Sequence, residues 1–173
     1  MEVSYRTAGV QRYAAWVHES DGAMRADLER RGYRVDTSTP AMGVSLDDVP
    51  MARPRLDLGA AEWADYVRLF GLPPGLLDRV DHTPFRVLFG CLDGQIVTTA
   101  MAFDRHGDCG IYNVETLAPA RRRGLGTALT AVHLHDGRER GCQSASLQST
   151  PMAERVYAAA GFRGLGRIFE YVP

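Results

Sequence analysis

The residues with the most chemical content lie in one stretch, Thr116-Leu117-Ala118-Pro119-Ala120-Arg121-Arg122-Arg123-Gly124-Leu125-Gly126-Thr127-Ala128-Leu129. A β-rich run ends where it starts, a basic loop follows, and two glycines stand where a helical period begins. The first turn of a helix carries backbone N–H groups without partners and the positive end of the helix dipole, and glycine has no Cβ to keep a ligand away. Such a place binds an anion, a pyrophosphate in particular. All twenty positive side chains are Arg, and the chain has no Lys. Chemistry that needs an ε-amine is therefore excluded: a pyridoxal Schiff base, a Walker phosphate loop and a kinase strand lysine. A dinucleotide fingerprint would need a third glycine where Leu129 stands, and a parallel βαβ unit around it.

Other reactive side chains make no second site. His133 and His135 are two apart on a predicted helix, so they point to different faces and cannot chelate one ion. Cys91, Cys109 and Cys142 are an odd number without metal-ligand spacing, and they read as reduced thiols of a cytosolic protein, with no metal expected. Cys142 has no His within sequence reach to make it a nucleophile. The net charge is −1, which gives no general attraction to nucleic acid or anionic membrane, and no apolar run approaches a membrane span. The expected protein is soluble and cytoplasmic, without nucleic-acid or membrane partners.

These residues need a scaffold, and the pattern supplies one from Phe85 onward. Phe85 to Leu92 and Gln95 to Phe103 are β-rich runs joined by Asp93-Gly94, a hairpin turn, and Gly110 to Leu117 adds a third strand. Leu125, Leu129 and Val132 then fall at helical spacing to about Arg140, with Gly141 as the stop. A short strand over 144–148, a helix over 152–160 that ends at Gly161-Phe162, and a strand over 166–172 close the chain. Upstream, 60–70 is expected as a helix with Trp63, Val67 and Phe70 on one stripe, followed by a short helical stretch from Pro73-Pro74 to Val80. Residues 1–50 read as strand (13–18), helix (22–31, ending at Gly32-Tyr33) and strand (42–46), with Pro40, Pro50 and Pro54 marking a joint to the main domain. This N-terminal extension resembles the closing strand-helix-strand in kind, as a degenerate half-repeat would, although such a pattern also recurs by chance.

The order meander, Arg121-x-x-Gly124-x-Gly126, helix, short strand and Tyr157-x-x-x-Gly161-Phe162 resembles the GNAT superfamily of N-acetyltransferases over residues 51–173. The segment Leu147 to Tyr157 is similar to the version in members that act on small molecules. The resemblance implies an α+β, three-layer α/β fold of the acyl-CoA acyltransferase type: a central mixed, mostly antiparallel sheet flanked by helices. Acetyl-CoA is the implied cosubstrate. Backbone groups of Val114 and Thr116 would pair with its pantetheine arm and acetyl carbonyl. The backbone of Arg122, Arg123, Gly124, Leu125, Gly126 and Thr127 would hold the pyrophosphate, and Arg121 would close the loop or touch phosphate. Many members have Asn where this chain has Thr150, so the hydroxyl of Thr150 would have to serve in its place.

Acetyl transfer to an amine needs a neutral nitrogen, a stabilised oxyanion and a proton for the departing thiolate. The family position gives the last task to Tyr157 and the oxyanion to the N–H of Val114. Glu115 stands where similar sequences have a small residue. It is either the base, acting directly or through water, a binder of a cationic substrate, or a solvated or Arg-paired carboxylate. Asn113, two residues away, is a candidate substrate contact. The expected activity is acetyl transfer to a primary amine of a small molecule. Protein N-termini or lysines are the next acceptors, and a coenzyme-A-binding module without turnover, with residues 1–50 serving a partner or homodimer interface, is the competing class.

Overall fold

The computed structural model describes residues 7, 12–59, 62–69, 75, 78 and 80–173. Strands β1 (Ala15–His18), β2 (Arg34–Ser45), β3 (Leu58–Gly59), β4 (Phe85–Leu92), β5 (Gln95–Arg105), β6 (Asp108–Thr116), β7 (Ser144–Gln148) and β8 (Arg163–Val172) form one sheet in the order β1-β8-β2-β7-β6-β5-β4-β3. All pairings are antiparallel except β6 with β7. The helices are α1 (Gly22–Arg30), α2 (Trp63–Leu69), α3 (Leu125–Glu139) and α4 (Glu154–Ala159). The mixed, mostly antiparallel sheet expected from the sequence is present.

The meander β4-β5-β6 turns at Asp93-Gly94 and at His106-Gly107, where all four residues have positive φ. Two consecutive left-handed residues make the type I′ turn whose twist matches a two-strand ribbon. Helix α3 buries Leu125, Leu129, Val132 and Leu134. Its Gly137 lies against Cys109 of β6, where an added Cβ would come within 3.0 Å of the sulfur. The core joins Cys109 and Ile111 of β6, Ala145 and Leu147 of β7, Met42 and Val44 of β2, and Leu134 of α3.

Boundaries differ from the sequence reading in instructive ways. Strand β6 starts at Asp108 and β8 at Arg163, while α4 starts only at Glu154, after a turn over 151–153. In α2 the buried residue is Tyr66, while Val67 is half-buried. The expected stretch from Pro73 to Val80, and Phe70, fall largely or wholly outside the described residues.

The largest correction concerns residues 34–45. The expected strand over 42–46 is the end of a 12-residue strand that begins at Arg34, and Pro40 lies inside it instead of at a joint. Proline is tolerated there because Pro40 O accepts from Ser149 N, just past the first β2–β7 register pair, Ala41 with Gln148. In a strand a residue's N and C=O point the same way, so the missing N–H faces the end of that ladder.

Strand β2 lies between β7 and β8, so the N-terminal unit is woven into the sheet. The β2–β8 ladder has an internal two-fold about the pair Thr39–Ile168. Ser38–Phe169 is answered by Pro40–Arg167, Thr37–Glu170 by Ala41–Gly166, Val35–Tyr171 by Met42–Gly164, and Arg34–Val172 by Gly43–Arg163. Even the irregularities match, with Asp36 unpaired on β2 and Leu165 on β8. Helices α1 and α4 both end at a left-handed glycine followed by an aromatic residue, Gly32-Tyr33 and Gly161-Phe162.

Candidate active site

The ladder between β6 and β7 runs only from Asp108–Ser144 to Ile111–Leu147. Beyond it β6 continues to Thr116 with β5 as its strand partner, and a cleft opens between β6 and the end of β7. The cause is a bulge: Thr99 pairs with Glu115 and Met101 with Tyr112, so Asn113 and Val114 together face Ala100. Asn113 has φ of 50°, a left-handed conformation that Asn tolerates better than most side chains. The extra residue bends β6 away from β7. Tyr66 Oη of α2 is hydrogen-bonded to Asn113 Nδ2, which ties that helix to the bulge.

One lip of the cleft is the β6 backbone from Val114 to Thr116, and its end leads into the phosphate-type loop. Arg121 Nε donates to Thr116 O at 2.9 Å, so this arginine closes the loop onto the strand, one of its two expected roles. Arg122 and Gly124 have φ of 62° and 74°. A turn with left-handed residues is the kind of backbone that can aim successive N–H groups to one side, as an anion-binding nest does. The α3 ladder takes up Ala128 N, which donates to Gly124 O, while the amides of the preceding first turn are the orphan donors of a helix start. Around Gly124 nothing lies within 4 Å of where a Cβ would stand. Arg122 and Arg123 are exposed and form no ion pair among the described residues. The Leu125 side chain is buried in the core, so only its backbone is available to a ligand. Gly126 faces the side chains of Val114 and Thr116, with 3.5 Å and 3.6 Å left for an added Cβ. The loop's backbone donors and the unpaired end of β6 therefore lie side by side.

Thr150 follows the end of β7, and Tyr157 of α4 packs against the same core cluster as Val114. Thr150 is exposed, and its carbonyl accepts from Ala153 and Glu154 at the start of α4. Tyr157 is half-buried, with its ring edge-on to Phe162 at 5.9 Å, and its hydroxyl has no partner among the described residues. Burial pushes its phenol above the ordinary tyrosine range, so it carries its proton at neutral pH.

Glu115 and Asn113 are both exposed. Glu115 forms no ion pair among the described residues, and the Asn113 amide nitrogen is engaged by Tyr66. Tyr66 escaped the sequence reading because Trp63, Val67 and Phe70 were placed on the stripe. The sign available was that Tyr66 lies three residues after Trp63. Trp63 is half-buried against Tyr66, His82 and Phe85, while Trp16 is exposed. His133 and His135 separate as expected, bonding Ala100 O and Met51 O. Among the described residues no group of three His, Cys, Asp or Glu is placed to hold a metal, and no helix is long and apolar enough to cross a membrane.

Comparison with known proteins fits this geometry. The sequence profile of the Acetyltransferase (GNAT) family matches residues 53–162. The chain belongs to the GNAT acetyltransferase family. Solved structures share the GNAT fold at low identity. A GCN5-related N-acetyltransferase from Kribbella flavida superposes with a TM-score of 0.76 at 20% identity, over 99% of this chain and 71% of that one. Another, from Sphaerobacter thermophilus, gives 0.67 at 20% identity, over 99% and 66%. A tandem GNAT protein from the clavulanic acid biosynthesis pathway gives 0.66 at 15% identity, over 99% and 66%. No curated protein sequence matches this GNAT chain.

Proposed function

We propose that the protein is an N-acetyltransferase that moves an acetyl group from acetyl-CoA to a primary amine of a small molecule by direct attack. The observation that supports this reading is the parting of β6 from β7 beyond Ile111–Leu147, where the bulged strand edge lies beside Gly126 of the glycine loop. The loop from Arg122 to Thr127 and the edge from Val114 to Thr116 would hold the cosubstrate, with Thr150 past the end of β7 as a further contact. Its thioester supplies an activated acetyl group. Val114 N–H donates to the carbonyl oxygen as charge gathers there. Glu115, unpaired and beside Val114, takes a proton from the amine, and Tyr157 gives one to the departing sulfur. Asn113 borders the acceptor through its amide oxygen. The strand-helix-strand at residues 1–50 is read as a degenerate half-repeat that completes the sheet, a view the two-fold ladder supports.

The test is thiol release from acetyl-CoA with a panel of small primary amines such as tyramine, spermidine and glucosamine, alongside peptides with free N-termini and lysines. Turnover with a small amine and not with peptides is the expected result. Coenzyme A binding without turnover on the whole panel would leave only a binding module.

A further inference from the structure

The face of β6 turned away from the glycine loop holds a patch that the steps above leave without a task. Side chains alternate along a strand, so Glu115 emerges on the face opposite Val114 and Thr116, whose side chains stand against Gly126. Glu115 is level with Thr99 of β5, and Leu117 N donates to Val97 O at 2.8 Å, so Leu117 and Val97 follow on the same face. With Leu69 at the end of α2 and Ile96 of β5, these residues line an open depression of about 40 Å³. Thr98 and Thr99 complete the lining, and both are buried.

The chemistry of this patch is one anion set in hydrocarbon. Among the described residues Glu115 is the only ionisable side chain that lines the depression, and it forms no ion pair there. Leu69 and Leu117 are 38% and 42% exposed. Apolar side chains scattered singly over a surface need no explanation, but these two converge on one carboxylate. Glu115 adjoins Val114, the proposed oxyanion donor, so an amine that gives its proton to Glu115 lays its own carbon skeleton across the patch. A second charge or a hydroxyl close to that nitrogen would be brought against leucine without a partner.

We propose that the acceptor is a monoamine whose nitrogen is followed by hydrocarbon, an alkyl or arylalkyl amine, selected by Leu69, Ile96, Val97 and Leu117. The depression takes the first few carbons, and the exposed leucines carry the rest. A polyamine would set a further ammonium over the leucines, and an amino sugar would set hydroxyls there. The inference rests on the acetyl-transfer reading with Glu115 as base, and it names the substrate class of that site.

The experiment measures kcat/KM by thiol release for ethylamine, propylamine, butylamine and pentylamine. It then sets putrescine, in which an ammonium replaces the last methyl of pentylamine, against pentylamine, and glucosamine against cyclohexylamine. Each added methylene is expected to raise kcat/KM about two- to fourfold, the order given by burying one CH₂. Pentylamine should exceed putrescine, and cyclohexylamine glucosamine, by at least tenfold. L117N should flatten the dependence on chain length. L117D supplies a second carboxylate and should raise the putrescine-to-pentylamine ratio at least tenfold, and a change in the variant's stability cancels in that ratio. Equal kcat/KM along the series, putrescine or glucosamine matching its counterpart, a ratio unmoved in L117D, or wild-type kcat/KM for pentylamine in E115Q overturns the inference, while the turnover itself upholds acetyl transfer. A wild type inert toward these amines and the earlier panel overturns the acetyl-transfer reading as well, and acetylation of peptides alone overturns the small-molecule acceptor.

Discussion

At the scale of single residues the proposed mechanism divides proton work between two groups with different surroundings. Tyr157 sits against Phe162, and burial keeps its proton on. Replacing it with Phe leaves the packing and removes the donor, so kcat is expected to fall about 10²–10⁴-fold with little change in KM. Because the phenol is held above the ordinary value of about 10, its titration leaves turnover untouched through neutral pH, which a pH–rate profile will check. E115Q keeps the size of the side chain and removes the proposed base, and a kcat loss of about 10²-fold is expected when turnover is measured at neutral pH. Much at this scale was legible. Tyr157, Glu115 and the glycine loop stand out by type and position. Tyr66 does not, because its bond to the bulge at Asn113 exists only once the strands are in register.

Among the elements, the bulge in β6 and the start of α3 together make the groove, and two glycines separate their roles. At Gly126 an added methyl would meet Val114 and Thr116 at ordinary contact distance, so G126A should keep or slightly raise stability, alanine being the better helix former. The methyl would nonetheless fill space between the loop and the β6 edge proposed to hold the cosubstrate, and calorimetric titration with coenzyme A should show at least a tenfold weaker affinity. Gly124 has φ of 74° and open space around it. There an alanine costs roughly 1–2 kcal/mol of backbone strain, a fall in Tm of several degrees in a chain of this size. The meander and α3 were readable because their turn residues and helical period are strong local signals. Strand β2 was readable only in its apolar end, 42–45. Its first half, Arg34 to Thr39, is polar and half or fully exposed, and the unpaired Asp36 breaks the alternation that marks a strand.

For the molecule as a whole, stability should depend on pH through His133. This residue is 1% exposed, and its Nε2 lies 3.2 Å from Ala100 O, a contact that needs the ring to donate. Burial lowers its pKa to about 4, below the value of about 6.5 for an unfolded histidine. The unfolded chain then binds more protons between those values, so stability is full above about 6.5 and falls as pH drops toward 4, by on the order of 3 kcal/mol. Asp104 titrates lower still. Burial pushes its carboxyl up, but the Arg140 hydrogen bond and charge outweigh this and leave it below the usual range. Urea unfolding at pH 7 and pH 4.5 should show the loss, and H133L should flatten it. The placing of β2 bears on time as well. This 12-residue strand is flanked by β7 and β8, which begin only at Ser144 and Arg163. A ribosome adds about 5–20 residues each second, so for several seconds of synthesis residues 34–45 have neither neighbour, with both edges unpaired. Contacts this distant in sequence fold slowly. In pulse-labelled refolding the amides of β2 should become protected together with those of β8, after the meander, which makes the β8-β2-β7 side of the sheet the last part of the molecule to close.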